Sequence, residues 1–285
     1  DLAKAPPPPA ATPKDQWQIG TPDAVLSFPE AQEIPAEGVV RYRYVQVATD
    51  YPEDRWVSAI EVRPSAPDVV HHALVATVKP DTPVKSAVFN PTAGFFAAIV
   101  PGGRTATYPD GMAKRLPKGA TLLFQMHYTP NGVAQTDVTQ IAFKFLKEAP
   151  KKEVFTSAAF NPTFEIPPGV ASHPVRAGLP VPFDVRVLSF MPHMHVRGTS
   201  FRYTFRGPDG TETTICDVPK YDFNWQTPYR LAAPLAVPGG SFLLCYATFD
   251  NSVENPYNPD PSATVRWGDQ TWEEMMIGYV DYVRE

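Results

Sequence analysis

The sequence predicts an all-β protein, and three observations predict it. Short runs in which apolar and polar residues alternate recur along the chain. Prolines, 34 among 285 residues, and glycines break those runs at close spacing. No stretch carries the apolar repeat of a helix three or more turns long. Many short strands with frequent turns imply sheets layered about a core, as in β-sandwich and jelly-roll domains, and the length allows two of them in tandem.

Residues 1–16 read as a linker. The prolines at 6–9 favour extended polyproline geometry, and the Ala, Pro and Lys around them offer no core. Such a leash implies something attached upstream. From Trp17 the texture changes. Val40, Tyr42 and Tyr44 alternate with Arg41 and Arg43, and Trp56, Ser58, Ile60 and Val62 alternate with Val57, Ala59, Glu61 and Arg63. Both patterns predict strands. Further strands are expected at 69–78, 121–128 and 139–145, with a Pro-Asn-Gly turn at 130–132, and 93–100 reads as a short helix or a buried strand. The charged, proline-marked segment 148–152 is the expected boundary, giving domains 17–150 and 151–285. The second predicts strands near 154–160, 183–190, 200–206, 241–249 and 275–283.

Composition excludes several classes of function. A hydrophobic content of 43% and an aromatic content of 12% fit a folded, core-forming chain. A net charge of -5 and the lack of a basic run argue against a nucleic-acid partner. Apolar runs are too short and too often broken to predict a membrane span. The chain begins at Asp1 with no signal peptide in view, which reads as a processed or trimmed product. Its two cysteines, Cys216 and Cys245, are too few for a thiolate zinc cage or an iron–sulfur cluster. A disulfide between them is expected, with two buried thiols as the alternative.

Histidine carries the chemistry. Five of the six fall in three places: His71-His72, His127, and His193 with His195. In a strand, residues two apart share a face, so His193 and His195 can aim at one metal ion. The plainer alternative is a surface pair at a strand end. Adjacent His71 and His72 would point to opposite faces, so sharing an ion demands a twist or bulge or the use of different ring nitrogens. The alternative there is one core and one surface histidine. His127, on the strand face of Gln125, is also readable as a core histidine, and His173 as a surface residue in a loop. Met275 and Met276 open the last strand facing opposite ways, so one enters the core while the other meets the His-x-His pair. A thioether ligand selects copper, especially Cu(I), over zinc. Glu273 and Glu274 read as solvated carboxylates at a strand start.

Four segments, in this order, resemble the copper type II, ascorbate-dependent monooxygenases: Val70-His71-His72-Ala73-Leu74, Leu123-Phe124-Gln125-Met126-His127-Tyr128, Pro192-His193-Met194-His195-Val196-Arg197-Gly198 and Glu274-Met275-Met276. The resemblance implies two jelly-roll domains with a copper site on each side of a solvent-filled interdomain cleft. It implies that His71, His72 and His127 hold an electron-storing copper, while His193, His195 and Met275 hold the one that binds O2 beside the substrate. Met276 stands where animal members have a cysteine, which removes the family partner of the cysteine matched by Cys245. Met191 replaces an arginine and Ile277 an asparagine that anchor substrate in the peptide-amidating members; Tyr279 matches a substrate-contacting tyrosine. Met191, Ile277, Tyr279 and Gln125 are therefore the substrate-contact candidates, and a less anionic substrate than a peptide carboxylate is expected.

The implied activity is hydroxylation of a C–H bond in a small molecule with O2, using two copper ions per chain. Electrons would come from ascorbate or from a haem or redoxin domain, since family members with the Asp-Phe-Asn-Trp of 222–225 and the Trp-Gly-Asp-Gln of 267–270 can follow such modules. Copper–oxygen chemistry and a disulfide favour an extracytoplasmic, periplasmic or secreted, location. A copper-binding or electron-transfer module without hydroxylase activity is the alternative. A mononuclear metal hydrolase ranks third, because no Asp-His follows the His-Met-His-Val-Arg-Gly run.

Overall fold

Every regular element among the described residues of the computed structural model (16–80, 82, 94–100 and 103–285) is a strand. The linker expected at 1–16 lies outside them except for Gln16. The first half supplies β1 (Ala24–Ser27), β2 (Gln32–Ile34), β3 (Arg43–Ala48), β4 (Arg55–Arg63), β5 (Val70–Val78), β6 (Phe95–Ile99), β7 (Thr105–Thr107), β8 (Met112–Leu116), β9 (Thr121–Tyr128), β10 (Gln135–Asp137) and β11 (Gln140–Phe145). The second supplies β12 (Lys152–Phe160), β13 (Glu165–Ile166), β14 (His173–Val181), β15 (Val185–His193), β16 (Gly198–Arg206), β17 (Glu212–Val218), β18 (Tyr229–Val237), β19 (Ser241–Phe249), β20 (Val265–Arg266) and β21 (Ile277–Arg284).

Alternation dictates the layering. In β9, Leu122, Phe124 and Met126 turn inward to meet Val57, Ile60 and Phe143 of the facing sheet, forming one core between β3-β9-β5-β6 and the β1-β11-β4-β8 strands. A second core lies between β14-β19-β16-β17 and β12-β21-β15-β18, with Phe190, Phe201, Tyr203 and Phe249 at its centre. The outer sheets join edge to edge. Lys152 and Glu153 of β12 pair in parallel with Met112 and Ala113 of β8, making one nine-stranded sheet across both halves. A smaller apolar group bridges the halves: Leu74, Ala76 and Val100 meet Ala158, Met191, Met275, Ile277 and Tyr279.

Several expectations are corrected. Of the two alternatives for 93–100, the strand is the one formed, at 95–99. His173 opens β14, half-buried, instead of lying in a surface loop. The expected disulfide is absent and both cysteines are free thiols. Cys216 of β17 and Cys245 of β19 pair with the same residue, Tyr203 of the intervening β16. They therefore stand two strand spacings apart, about 10 Å, where a bridge tolerates at most about 7 Å between Cα atoms.

Candidate metal centre

The first histidine group depends on a break in a ladder. β5 and β9 run in register until Val70 pairs with Tyr128 and His72 with His127, leaving His71 as an extra residue without a partner opposite. This is the bulge that two adjacent histidines need in order to converge. His71, His72 and His127 each offer a ring nitrogen, and these atoms lie within 4.8 Å of one another. The Nδ1 atoms of His71 and His72 are 3.2 Å apart. Two imidazoles on one ion, at about 2.0–2.1 Å from it in tetrahedral arrangement, would bring their ligating nitrogens to about 3.3 Å. His71 Nε2 faces Asn224 Oδ1 at 3.2 Å and His127 Nε2 faces the Thr271 hydroxyl at 3.3 Å, so both rings can spend Nε2 on a hydrogen bond and turn Nδ1 inward.

The second group ends β15. His193 and His195 flank Met194, whose side chain enters the second core as period two requires. Backbone locks hold the turn: the Tyr221 hydroxyl accepts from Met194 N at 3.0 Å and donates to Met194 O at 2.7 Å. Gly198 is required by contact, since a Cβ there would meet Met194 Cβ at 2.8 Å. His193 Nδ1 donates to Gln226 Oε1 at 2.7 Å, and His195 Nδ1 donates to the Glu273 carbonyl at 3.0 Å. Both rings therefore present Nε2 as a lone pair. Glu274, expected in solvent, is fully buried: its carboxylate oxygens accept from His195 N at 2.8 Å and from Arg197 N at 2.7 Å. Burial pushes this carboxyl up to about 8, opposed by those N–H donors and by Arg197. The Arg197 side chain is itself buried and donates to Asn251 Oδ1 at 2.9 Å and to Trp272 O at 3.0 Å.

The two groups meet. The rings of His72 and His193 are 5.9 Å apart between centroids, and those of His193 and His195 are 5.3 Å apart. In place of an open cleft between the histidine groups, the halves close on each other through the β8–β12 pairing and the bridging apolar group. Burial holds all five imidazoles below their ordinary pKa, with His127 at about 3 and His193 at about 4. Mutual repulsion among the rings adds to the effect for His72, His127, His193 and His195. Neutral imidazole is the ligating form. Three buried ring nitrogens, His72 Nε2, His127 Nδ1 and His195 Nε2, have no hydrogen-bond partner. A buried polar atom without a partner is costly in a protein that binds nothing there.

One loop stitches the groups together. Phe223 stacks on His71 at 4.5 Å between ring centroids and also reaches His127 and His195. Asn224 meets His71 and Gln226 meets His193. A second stitch runs from 267–270 to the first half: Asp269 accepts from the Tyr44 hydroxyl at 3.1 Å, and Gln270 from Tyr42 N at 3.4 Å. The sequence marks both segments without giving them a part at the histidines, gives Glu274 a solvated place that it does not have, and offers no sign of the roles of Gln226 and Arg197.

The remaining candidates separate into two places. Met276 enters the second core, while Met275 joins the bridging apolar group with Met191, Ile277 and Tyr279. Gln125 lies elsewhere: its amide donates to the Tyr44 hydroxyl at 2.8 Å and is buried within that network. From outside, a groove of about 810 Å³ reaches His71 and His127 past Val40, Phe223 and Trp272.

No family model and no curated protein matches this chain. Among solved structures, the major capsid protein P2 of bacteriophage PM2 shares 12% identity over 92% of this chain and 97% of its own, with a TM-score of 0.35. The infectious bursal disease virus Gx strain structure shares 11% identity over 92% and 72%, with a TM-score of 0.26. Allantoicase from Saccharomyces cerevisiae shares 8% over 87% and 80%, with a TM-score of 0.23. Likenesses this remote say nothing about the chemistry of the histidine cluster.

Proposed function

We propose that this chain is the catalytic region of a copper-dependent monooxygenase that hydroxylates a C–H bond of a small organic molecule, built as two tandem jelly-roll sandwiches over 17–150 and 151–285. The observation that supports this most is a cluster of five neutral histidines that holds three buried ring nitrogens without partners. His71, His72 and His127 would hold one copper ion, and His193, His195 and Met275 the other. Imidazole alone suits several transition metals; the thioether of Met275 is what favours copper. When bound, copper supplies one-electron reduction of O2.

The chain's own residues do the rest. Gln226 and the Glu273 carbonyl fix the tautomers of His193 and His195, so no proton competes for Nε2. Met191, Ile277 and Tyr279 keep water from the second group's flank. The half-buried His71 at the floor of the outer groove gives electrons from ascorbate or from a haem or redoxin domain a short route in. An extracytoplasmic location now rests on the copper and oxygen chemistry alone, without a disulfide.

Metal analysis of the purified protein should find two coppers per chain, and a single zinc would sink the reading. Met275→Ile should abolish O2-dependent turnover while copper stays on His71, His72 and His127. If the reduced protein consumes O2 yet hydroxylates none of the compounds it binds, it is an electron-transfer module instead.

A further inference from the structure

A cavity of about 470 Å³ lies between the two halves, and nothing described so far uses most of it. Its volume is that of an ordinary small-molecule site. One wall is the outward face of β15 and β21, where side chains two apart line up. Ser189, Met191 and His193 share the β15 face; Asp281, Tyr279 and Ile277 share the β21 face, paired with them in register. Phe95, Ala98 and Leu231 supply apolar surface opposite.

The wall is graded. At one end of the lining is Met191, and His193 stands just beyond it, two residues further along the same strand face. Midway is Tyr279, whose buried hydroxyl has no hydrogen-bond partner although the ring lines the cavity. At the other end Lys114 is buried. Its ammonium donates to Thr156 Oγ1 at 2.6 Å and to Phe96 O at 3.2 Å. Asp281 pairs with it at 3.7 Å, and its oxygens also accept from the Thr156 and Ser189 hydroxyls. Lys114 and Asp281 thus form an ion pair, and the third N–H of Lys114 faces that carboxylate, which leaves the charge of Arg230 unbalanced in the lining. Arg230, anchored on Thr105 and Thr107, adds a second cation to the same lining. Two cations face one satisfied carboxylate, which favours an anion and repels an amine.

We propose that this cavity is a substrate subsite for a small apolar carboxylate, whose charged end sits at Lys114 and whose hydrocarbon end lies along Met191 and Tyr279 toward His193. The charge would sit far from the carbon nearest the histidines, which is consistent with an apolar Met191 beside them. What happens at the hydrocarbon end rests on the monooxygenase reading; binding itself does not.

The test is calorimetric titration of the whole protein with 4-phenylbutyrate and with its uncharged isostere 4-phenylbutanol. The carboxylate should bind more tightly, and Lys114→Met should weaken it about tenfold to a hundredfold while leaving the alcohol nearly unchanged. Because that variant strands Asp281, the double variant Lys114→Met with Asp281→Leu replaces both charges with apolar groups of similar size and should show the same selective loss. Equal affinity for acid and alcohol, or carboxylate binding that survives both variants, overturns the subsite. Selective binding of the acid without hydroxylation, when O2 and reductant are supplied, leaves the subsite standing and counts against the monooxygenase reading instead.

Discussion

The two histidine groups differ in how they are held. His193 and His195 are buried, and each spends Nδ1 on an acceptor from its own half of the chain. His71 is half-exposed, sits on a bulge, and takes its acceptor from the other half, 153 residues away. The second group is thus set by the folding of its own half, and the first is completed only when the halves are together. For a two-site apparatus, one site is a fixed frame and the other an adjustable one that faces solvent.

Removing the frame should produce the largest effect. Glu274→Ala leaves the buried backbone N–H groups of His195 and Arg197 without an acceptor, at a cost of about 1–3 kcal/mol each. Urea unfolding should show that loss, and metal analysis of the folded fraction should show copper missing from the second group before the first.

Acid should separate bound from metal-free protein. The imidazoles titrate near 6.5 when unfolded, but His193 near 4 and His127 near 3 in the fold. The unfolded chain therefore binds more protons throughout that window, so the metal-free protein should lose stability as pH falls from about 6.5 toward 4. Thermal melts across that range check this. Bound copper should hold the melting temperature up to a lower pH, because it binds the folded state alone.

Smaller changes sharpen the contrast between the groups. Gln226→Leu deprives His193 of a buried acceptor and should weaken metal binding at the second group about 10–100-fold, with the first group unchanged. Asn224→Leu removes the equivalent partner from His71, where water can replace it, and should cost about fivefold or less. Competitive chelator titration measures both. Equal losses would mean that the groups are held alike.

Much of this architecture was legible in alternation, most plainly in the central strand β9, where Leu122, Phe124 and Met126 all enter the core. Among the strands that escaped notice are β14, β17 and β18. Each lies at the edge of its sheet, with one side unpaired. There Pro174, Pro180 and Pro234 cost no ladder hydrogen bond to a missing neighbour, and exposed Thr213 and Thr214 need no apolar rhythm, so the sequence reads as loop. Histidines were legible because they are few and clustered. Gln226, Glu274 and Arg197 were not, since an isolated polar residue gives no sign that it will be buried against a partner far along the chain. The solvated reading of Glu273 and Glu274 failed for Glu274 because its place is fixed by pairing: its N–H donates to Arg266 O at 3.1 Å, and its carbonyl accepts from Gly268 N at 3.2 Å.

The loop at 222–226 also makes the molecule mechanically lopsided. Both ends of the Gln226–His193 bond belong to the second half, so it moves as part of that body. The Phe223–His71 stack and the Asn224–His71 bond cross between halves. Any parting of the halves must peel Phe223 and Asn224 from His71, while His193 keeps its tether. The loop thus couples the solvent-facing histidine, and not the buried one, to the way the halves meet.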